Sequence, residues 1–136
     1  IKRTWKRGDN VTLNIPMPVD KLLSHPMVIE NSRKLALRKG PIVYCIESFD
    51  HPGKDIFDIA ILADAPIKVE HKPRCLGGVD ILRARGRLSC RRGDRDSLYA
   101  PMAGRKSRFV RVTAIPYFAR ANRGKSPFRV WIPYCE

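Results

Sequence analysis

Three arginines at alternate positions are the best candidates for ligand binding in this sequence. Arg83, Arg85 and Arg87 repeat with the period of two that places side chains on one face of a β-strand. Guanidinium groups in such a row pair with phosphates or carboxylates, and the nearby rings of Tyr99 and Phe109 would add aromatic stacking. An edge strand protected by charge shows the same pattern without any ligand, and such strands are the commoner case.

The acidic and nucleophilic residues do not form a catalytic set. His25 and His51 follow a serine and an aspartate, yet each precedes a proline and is predicted to lie in a surface turn. Glu47 follows an apolar run, which favours an ion pair with one of the arginines. Two pairs of closely spaced aspartates lack the apolar neighbours that would raise one pKa for acid catalysis: Asp55/Asp58 and Asp94/Asp96. This chain alone is therefore predicted not to be an enzyme.

The cysteines do not have the spacing of a metal site or of a disulfide framework; they are Cys45, Cys75, Cys90 and Cys135. No Cys-x-x-Cys pair occurs, and no histidine lies at a zinc-ligand spacing from a cysteine. Cys45 lies within an apolar run, so we predict a buried, unreactive thiol. No metal or cofactor is expected in this chain.

The charge balance indicates an anionic partner. The 136 residues include 27 lysines and arginines against 13 acidic residues, which gives a net charge of +14. Such an excess attracts nucleic acid or acidic polysaccharide, unless the counter-charges lie on another part of the same protein. No apolar stretch approaches the ~20 residues of a membrane helix, and no signal peptide is recognisable. The chain opens without a methionine, which suggests a piece of a longer protein.

Apolar residues alternate with polar ones along much of the chain, which predicts strands. Residues 11–15 fit a half-buried strand, and residues 35–46 fit a hairpin with a Gly-Pro connection. The run 109–131 supplies closing strands around an Asn-Arg-Gly turn. Short strands punctuated by Gly and Pro predict an all-β fold. We expect one antiparallel, jelly-roll-like β-sandwich over residues 1–136, with a smaller inserted β subdomain as an insertion-like excursion at 53–107.

Two segments of the chain carry a more specific signal. The first reads RTWKRGDNVTLNIPMPV at residues 3–19 and continues to LALRKGPIVYCIE at residues 35–47. The second reads TAIPYFARANRG at residues 113–124 and ends in VWI at residues 130–132. In this order, the segments resemble the C-terminal end of the β-L-arabinofuranosidase-type enzymes, glycoside hydrolase family 127.

The resemblance implies that a helical (α/α) barrel carries the active site and that β-sandwich domains follow it. In the family, a cysteine nucleophile, a zinc held by cysteines and a glutamate, and an acid/base glutamate all belong to the barrel. None of their motifs occurs here, since the sequence has neither an adjacent Cys-Cys pair nor a Glu-x-Cys. The resemblance thus implies a non-catalytic accessory domain that buttresses a catalytic barrel outside this chain, where carbohydrate and zinc would bind.

We assign packing and turn roles, and no part in a site, to six residues: Trp5, Cys45, Tyr117, Asn122, Arg123 and Trp131. Arg120 stands where the family usually has Trp, and Phe128 stands where Met is common, so the family's substrate is not carried over. The alternative function is a basic module that binds acidic glycan or nucleic acid through Arg83, Arg85 and Arg87.

Overall fold

Strands and short turns of 3₁₀ helix account for the regular structure of this chain. A computed structural model describes residues 1–90, 99 and 106–136. The predicted Asp94/Asp96 pair lies outside these residues. The strands are β1 (Val19–Leu23), β2 (Lys34–Lys39), β3 (Ile42–Glu47), β4 (Ile59–Leu62), β5 (Lys68–Lys72), β6 (Val79–Cys90), β7 (Lys106–Pro116), β8 (Phe128–Arg129) and β9 (Ile132–Cys135). The 3₁₀ turns are Ile29–Asn31, Ser48–Asp50, Ile56–Asp58 and Tyr117–Ala119.

Six of these strands close into a barrel. The order of hydrogen-bonded neighbours is β2, β9, β4, β6, β7 and β3, and β3 pairs again with β2. The strands β1, β5 and β8 lie outside this barrel and pair with β2, β6 and β3 respectively. The all-β prediction is confirmed. The strands form a closed barrel rather than the two facing sheets of a jelly-roll-like sandwich, because β2 bonds to both β3 and β9.

Two of the antiparallel pairings in the barrel are hairpins, a short one of β2 with β3 and a long one of β6 with β7. The predicted hairpin within residues 35–46 is confirmed by β2 and β3, whose turn places Gly40 at a φ of 53°. The longer hairpin joins β6 to β7 in register from Leu82↔Ala114 to Cys90↔Lys106. β4 and β9 run parallel, so the barrel is not purely antiparallel.

The barrel interior is filled by aliphatic side chains from every strand of the ring. Its fully buried members include Leu37, Ile46, Ile61, Val112 and Ile132. They alternate with outward-facing residues, as the pleat of a strand requires. A second, smaller cluster of buried apolar residues comprises Cys45, Val79, Ile81 and Ile115, so the first outward positions of β6 are also covered. Charged side chains occupy the outward positions of β6 farther along the strand, from Arg83 to Arg87.

Gly86 shows how closely β6 approaches β4. A Cβ atom at this position would lie 2.4 Å from the carbonyl oxygen of Ala60 and 2.9 Å from a methyl group of Val112. Only glycine fits there without moving the backbone of β4. The glycine separates the outward side chains of Arg85 and Arg87, so their placement depends on this contact.

The structure differs from the predicted strands at two places. Residues 11–15 are not part of any strand, and the expected half-buried strand there is wrong for this chain. The closing strand that was expected after the Asn-Arg-Gly turn is divided into β8 and β9, which pair with different neighbours. The insertion-like excursion at 53–107 stays a prediction, and β4 and β6 of the barrel come from that range.

Among the residues that the structure describes, no helix has both the length and the apolar character needed to cross a membrane.

Candidate functional site

The segment at residues 11–15 exposes its apolar side chains. Val11, Leu13 and Ile15 are 56%, 78% and 67% exposed. Trp5 is 52% exposed, and the guanidinium of Arg3 stacks on its ring at 5.2 Å. Unpaired backbone with alternating apolar side chains is the form in which one chain adds a strand to another. We name residues 5–15 the N-terminal segment.

A second group of apolar side chains is exposed just after β1. It comprises Leu23, Met27, Val28 and Ile29. Scattered apolar residues are normal on a surface, but two runs close in sequence indicate an interaction surface. The packing role assigned to Trp5 stays a prediction, since its described contact is with Arg3 rather than with the core.

The three arginines of β6 share one outward face. Arg83, Arg85 and Arg87 alternate with Ala84, Gly86 and Leu88, which are buried. The interpretation of β6 as an edge strand is wrong, because β6 pairs with β4, β5 and β7. Protection of a free edge therefore does not explain the charges.

The outward arginines contact both acidic and aromatic groups. Arg83 donates from Nε to a Glu70 carboxylate oxygen at 3.0 Å and from Nη1 to the Thr113 hydroxyl. The guanidinium carbons of Arg85 and Arg87 lie 5.1 Å and 4.7 Å from the ring centroid of Phe109. These are cation–π distances. The ring of Phe109 therefore contacts two of the three guanidiniums.

A buried ionic cluster joins the end of β3 to the closing turn. Arg123 donates from Nη2 to Glu47 at 2.9 Å, and from Nη1 and Nη2 to Asp50 at 2.9 Å and 2.7 Å. The backbone N–H of Ala121 donates to the other oxygen of Glu47 at 2.8 Å. The carboxylate of Glu47 is 1% exposed. The predicted ion pair of Glu47 with an arginine is confirmed, and its partner is Arg123.

The electrostatics of this cluster favour the charged form of the Arg123 guanidinium. Hydrogen bonds to Asp50, and then to Glu47, hold the pKa of Arg123 above its usual range. Arg123 Nε is buried without a hydrogen-bond partner among the residues that the structure describes. The guanidinium also lies 5.6 Å from the ring of Phe49. Arg123 thus fastens the closing turn to the end of β3. The amino-acid composition does not show which arginine has this role.

The remaining residues of the closing turn lie nearer the surface. Asn122 is exposed, and the left-handed conformation falls on Ala121 (φ 63°) and Gly124 (φ 116°) instead. Tyr117 is partly exposed and lies 5.9 Å from the ring of Phe128. Trp131 is partly buried between β8 and β9. The structural roles given to Asn122, Tyr117 and Trp131 stay predictions.

Cys45 and His51 are buried beside the ionic cluster. Cys45 is fully buried, as predicted, and burial raises the pKa of its thiol to about 12. His51 is 1% exposed, so the predicted surface position is wrong. Its Nδ1–H donates to the Glu47 carbonyl at 2.8 Å, and its Nε2 accepts from the Thr113 N–H at 3.1 Å. This pairing requires a neutral ring, and burial lowers the pKa of His51.

The described residues contain no group of His, Cys, Asp and Glu side chains that could hold a metal ion. Their buried acids are already bound to Arg123. The part of the chain that the structure describes provides two candidate surfaces, the N-terminal segment and the outward arginines.

Comparison with known proteins decides the family. The model of the glycoside hydrolase family 127 C-terminal domain matches residues 19–133, which is most of the chain. The chain belongs to this family. The resemblance that the sequence motifs indicated is thereby confirmed.

Relatives of this C-terminal domain are parts of larger proteins. The non-reducing end β-L-arabinofuranosidase of Bifidobacterium longum subsp. longum is 27% identical over 128 residues, which cover 89% of this chain and 19% of that protein. The structure of a family 127 β-L-arabinofuranosidase from Geobacillus stearothermophilus T6 matches with a TM-score of 0.79 and 34% identity, over 88% of this chain and 19% of that one. A family 127 β-arabinofuranosidase matches with a TM-score of 0.73 and 26% identity, over 88% and 17% respectively. This chain thus spans about a fifth of the length of these relatives.

The buried ionic cluster generates a first prediction. Replacing Arg123 by Met leaves the carboxylate of Glu47 buried without its cation, which destabilises the domain by about 3–5 kcal/mol. Urea unfolding followed by tryptophan fluorescence measures this change. The control is Arg38→Met, which removes the more exposed pair with Asp20 and costs less than about 1 kcal/mol. Equal losses in the free energy of unfolding would show that the buried cluster stabilises the domain no more than an exposed ion pair does.

The neutral state of His51 generates a second prediction. Because its pKa is lower in the folded than in the unfolded chain, the unfolded chain binds more protons below the ordinary histidine pKa. Full stability is present above about pH 6.5 and falls as the pH drops below it, by up to about 1.4 kcal/mol per pH unit.

Free energies of unfolding measured between about pH 7 and pH 5 test this dependence. His51→Gln has no titrating ring, so we expect a lower stability at neutral pH and a shallower decline on acidification. His25→Gln, at an exposed position, keeps the wild-type slope. An unchanged slope in His51→Gln would contradict the assignment.

Proposed function

We propose that this chain is an accessory domain of a longer glycosidase of the β-L-arabinofuranosidase type. In this role it packs against the domain that carries the catalytic residues and supports it. The relatives of known name are arabinofuranosidases, and this chain corresponds to only about a fifth of their length. The activity of the longer protein therefore resides in residues outside this domain.

The observation that carries the proposal is the exposed N-terminal segment. Val11, Leu13 and Ile15 alternate as strand residues do, but no backbone hydrogen bond joins residues 11–15 to the rest of the described chain. Burial of each such side chain stabilises a protein by about 1.5–3 kcal/mol. Packing against a neighbouring domain gains this energy, and added backbone pairing fixes the register.

The chemistry of the buried groups supports an accessory role. The carboxylates of Glu47 and Asp50 both bind the guanidinium of Arg123, so they serve a structural ion pair that fastens the closing turn. The thiol of Cys45 is fully buried, and its pKa of about 12 keeps it protonated at neutral pH. A cysteine nucleophile needs the opposite environment, which lowers its pKa.

The family resemblance supplies the finer part of the proposal. The partner that we propose is a helical (α/α) barrel in the same protein, and the zinc expected for the family belongs there. Carbohydrate substrate then meets this domain only through the barrel. The well-filled barrel of this chain suits a rigid support, since close-packed interiors resist deformation.

One substitution examined in two contexts tests this proposal. Leu13→Asp changes the stability of this chain by less than about 0.5 kcal/mol, because Leu13 is exposed here. In the protein expressed with its upstream coding sequence, the same substitution buries a charge and costs about 2 kcal/mol or more. Thermal unfolding and hydrolysis of a nitrophenyl β-L-arabinofuranoside measure the two effects.

Val69→Asp is the matched control, since Val69 is exposed on β5 and is not in the N-terminal segment. We expect it to leave both proteins unchanged. We also expect hydrolysis only by the longer protein. Hydrolysis by this chain alone, or an equal effect of Leu13→Asp in both contexts, would refute the proposed role.

A further inference from the structure

Five cations share the outer surface of three neighbouring strands. We call this surface the arginine face; it comprises Lys68 on β5, Arg83, Arg85 and Arg87 on β6, and Arg111 on β7. Outward residues along β6 repeat about every 7 Å, because a strand rises about 3.3 Å per residue. Lys68, Arg83, Arg85 and Arg111 line one shallow depression.

Like charges stand directly opposite each other on this face. The register places Arg85 beside Arg111 and Arg83 beside Lys68. Directly opposed like charges destabilise a sheet, and a sequence usually avoids them. A feature that opposes stability in this way is typical of a functional site. An anion held between Arg85 and Arg111 would remove the repulsion.

Glu70, the acidic residue that lines the depression, does not neutralise all the positive charges of the arginine face. Glu70 is bound by Lys72 and by Arg83, and the hydrogen bond from Lys72, followed by that from Arg83, lowers the pKa of Glu70. Within the described part of the chain, no carboxylate lies at ion-pair distance from Lys68, Arg85 or Arg111. Among the described residues, therefore, no carboxylate competes with an external ligand for these three cations.

We propose that the arginine face binds the carboxylates of an acidic polysaccharide. Guanidinium groups bind carboxylates with two parallel hydrogen bonds, which lysine cannot match. The side chains are spaced along β6 at intervals that suit a polymer carrying a charge on each of several units. The choice of a polysaccharide rests on the proposed function, since a glycosidase works among polysaccharides. The acidic chain bound at the arginine face is distinct from the substrate that the catalytic barrel hydrolyses.

The aromatic ring of the arginine face favours this ligand over single-stranded nucleic acid. Proteins that bind single strands stack the bases on free aromatic rings. The Phe109 ring is already contacted by the guanidiniums of Arg85 and Arg87. The ring is thus shared by two guanidiniums rather than left free for a base, which favours a ligand that binds through carboxylates.

Affinity electrophoresis of this chain in polygalacturonate tests the proposal, with neutral arabinan and oligo(dT) as comparison ligands. We expect binding to polygalacturonate alone, with an affinity that falls steeply between about 50 and 200 mM salt. The double variant Arg85→Ser/Arg111→Ser weakens binding at least about tenfold, because it removes two charge-assisted contacts. The Tm of this variant equals or exceeds that of the wild type, since the opposed charges are gone.

The control is Arg74→Ser/Lys125→Ser, which removes two exposed positive charges elsewhere and changes the affinity less than about threefold. Equal losses in both double variants would mean that net charge alone binds the polymer, and would overturn the proposal. Preferential binding of oligo(dT), or no binding of polygalacturonate, would also overturn it.

Measurements on the longer protein distinguish a failure of this proposal from a failure of the proposed function. Binding of polygalacturonate by the longer protein supports the arginine face as a free surface. Loss of binding there, when this chain alone still binds, would show that another domain covers the face. Hydrolysis of a small arabinofuranoside by the wild-type longer protein reports on the proposed function independently.

Discussion

The pairing of β2 with both β3 and β9 is the constraint on which the rest of the structure depends. It closes six strands into a barrel, so that alternate side chains of every strand meet in one aliphatic core. Closure also fixes which residues face outward, including the arginines of β6. The ionic cluster of Glu47 and Arg123 fastens the turn that precedes β8 to the end of β3, and so it holds the last strands in place.

Closure has a consequence at the N-terminus. Because the core is complete without residues 11–15, their apolar side chains have no interior to enter. The same closure makes the domain a rigid body, which is what a supporting domain requires. The exposed N-terminal segment and the arginine face are therefore two separate surfaces: the first presents apolar side chains, and the second presents positive charge.

Local patterns were readable in the sequence, whereas contacts between distant residues were not. The β2–β3 hairpin, the burial of Cys45 and the alternation of Arg85 with its neighbours all follow from a period of two within one segment. The barrel depends on the β2–β9 and β4–β9 pairings, each of which joins only two residue pairs across long stretches of chain. His51 was misplaced for the same reason, since one of its partners is Thr113. The alternation at residues 11–15 predicts a half-buried strand, but a local pattern does not specify a pairing partner, and these residues pair with no described strand and expose their apolar side chains.

Hydrogen exchange at the backbone amides of residues 11–15 tests the docking of the N-terminal segment most directly. In this chain the amides have no described backbone partner, so they should exchange at nearly the rate of an unfolded peptide. In the longer protein, docking and strand pairing should slow them at least about a hundredfold. Equally fast exchange in both proteins would contradict the account.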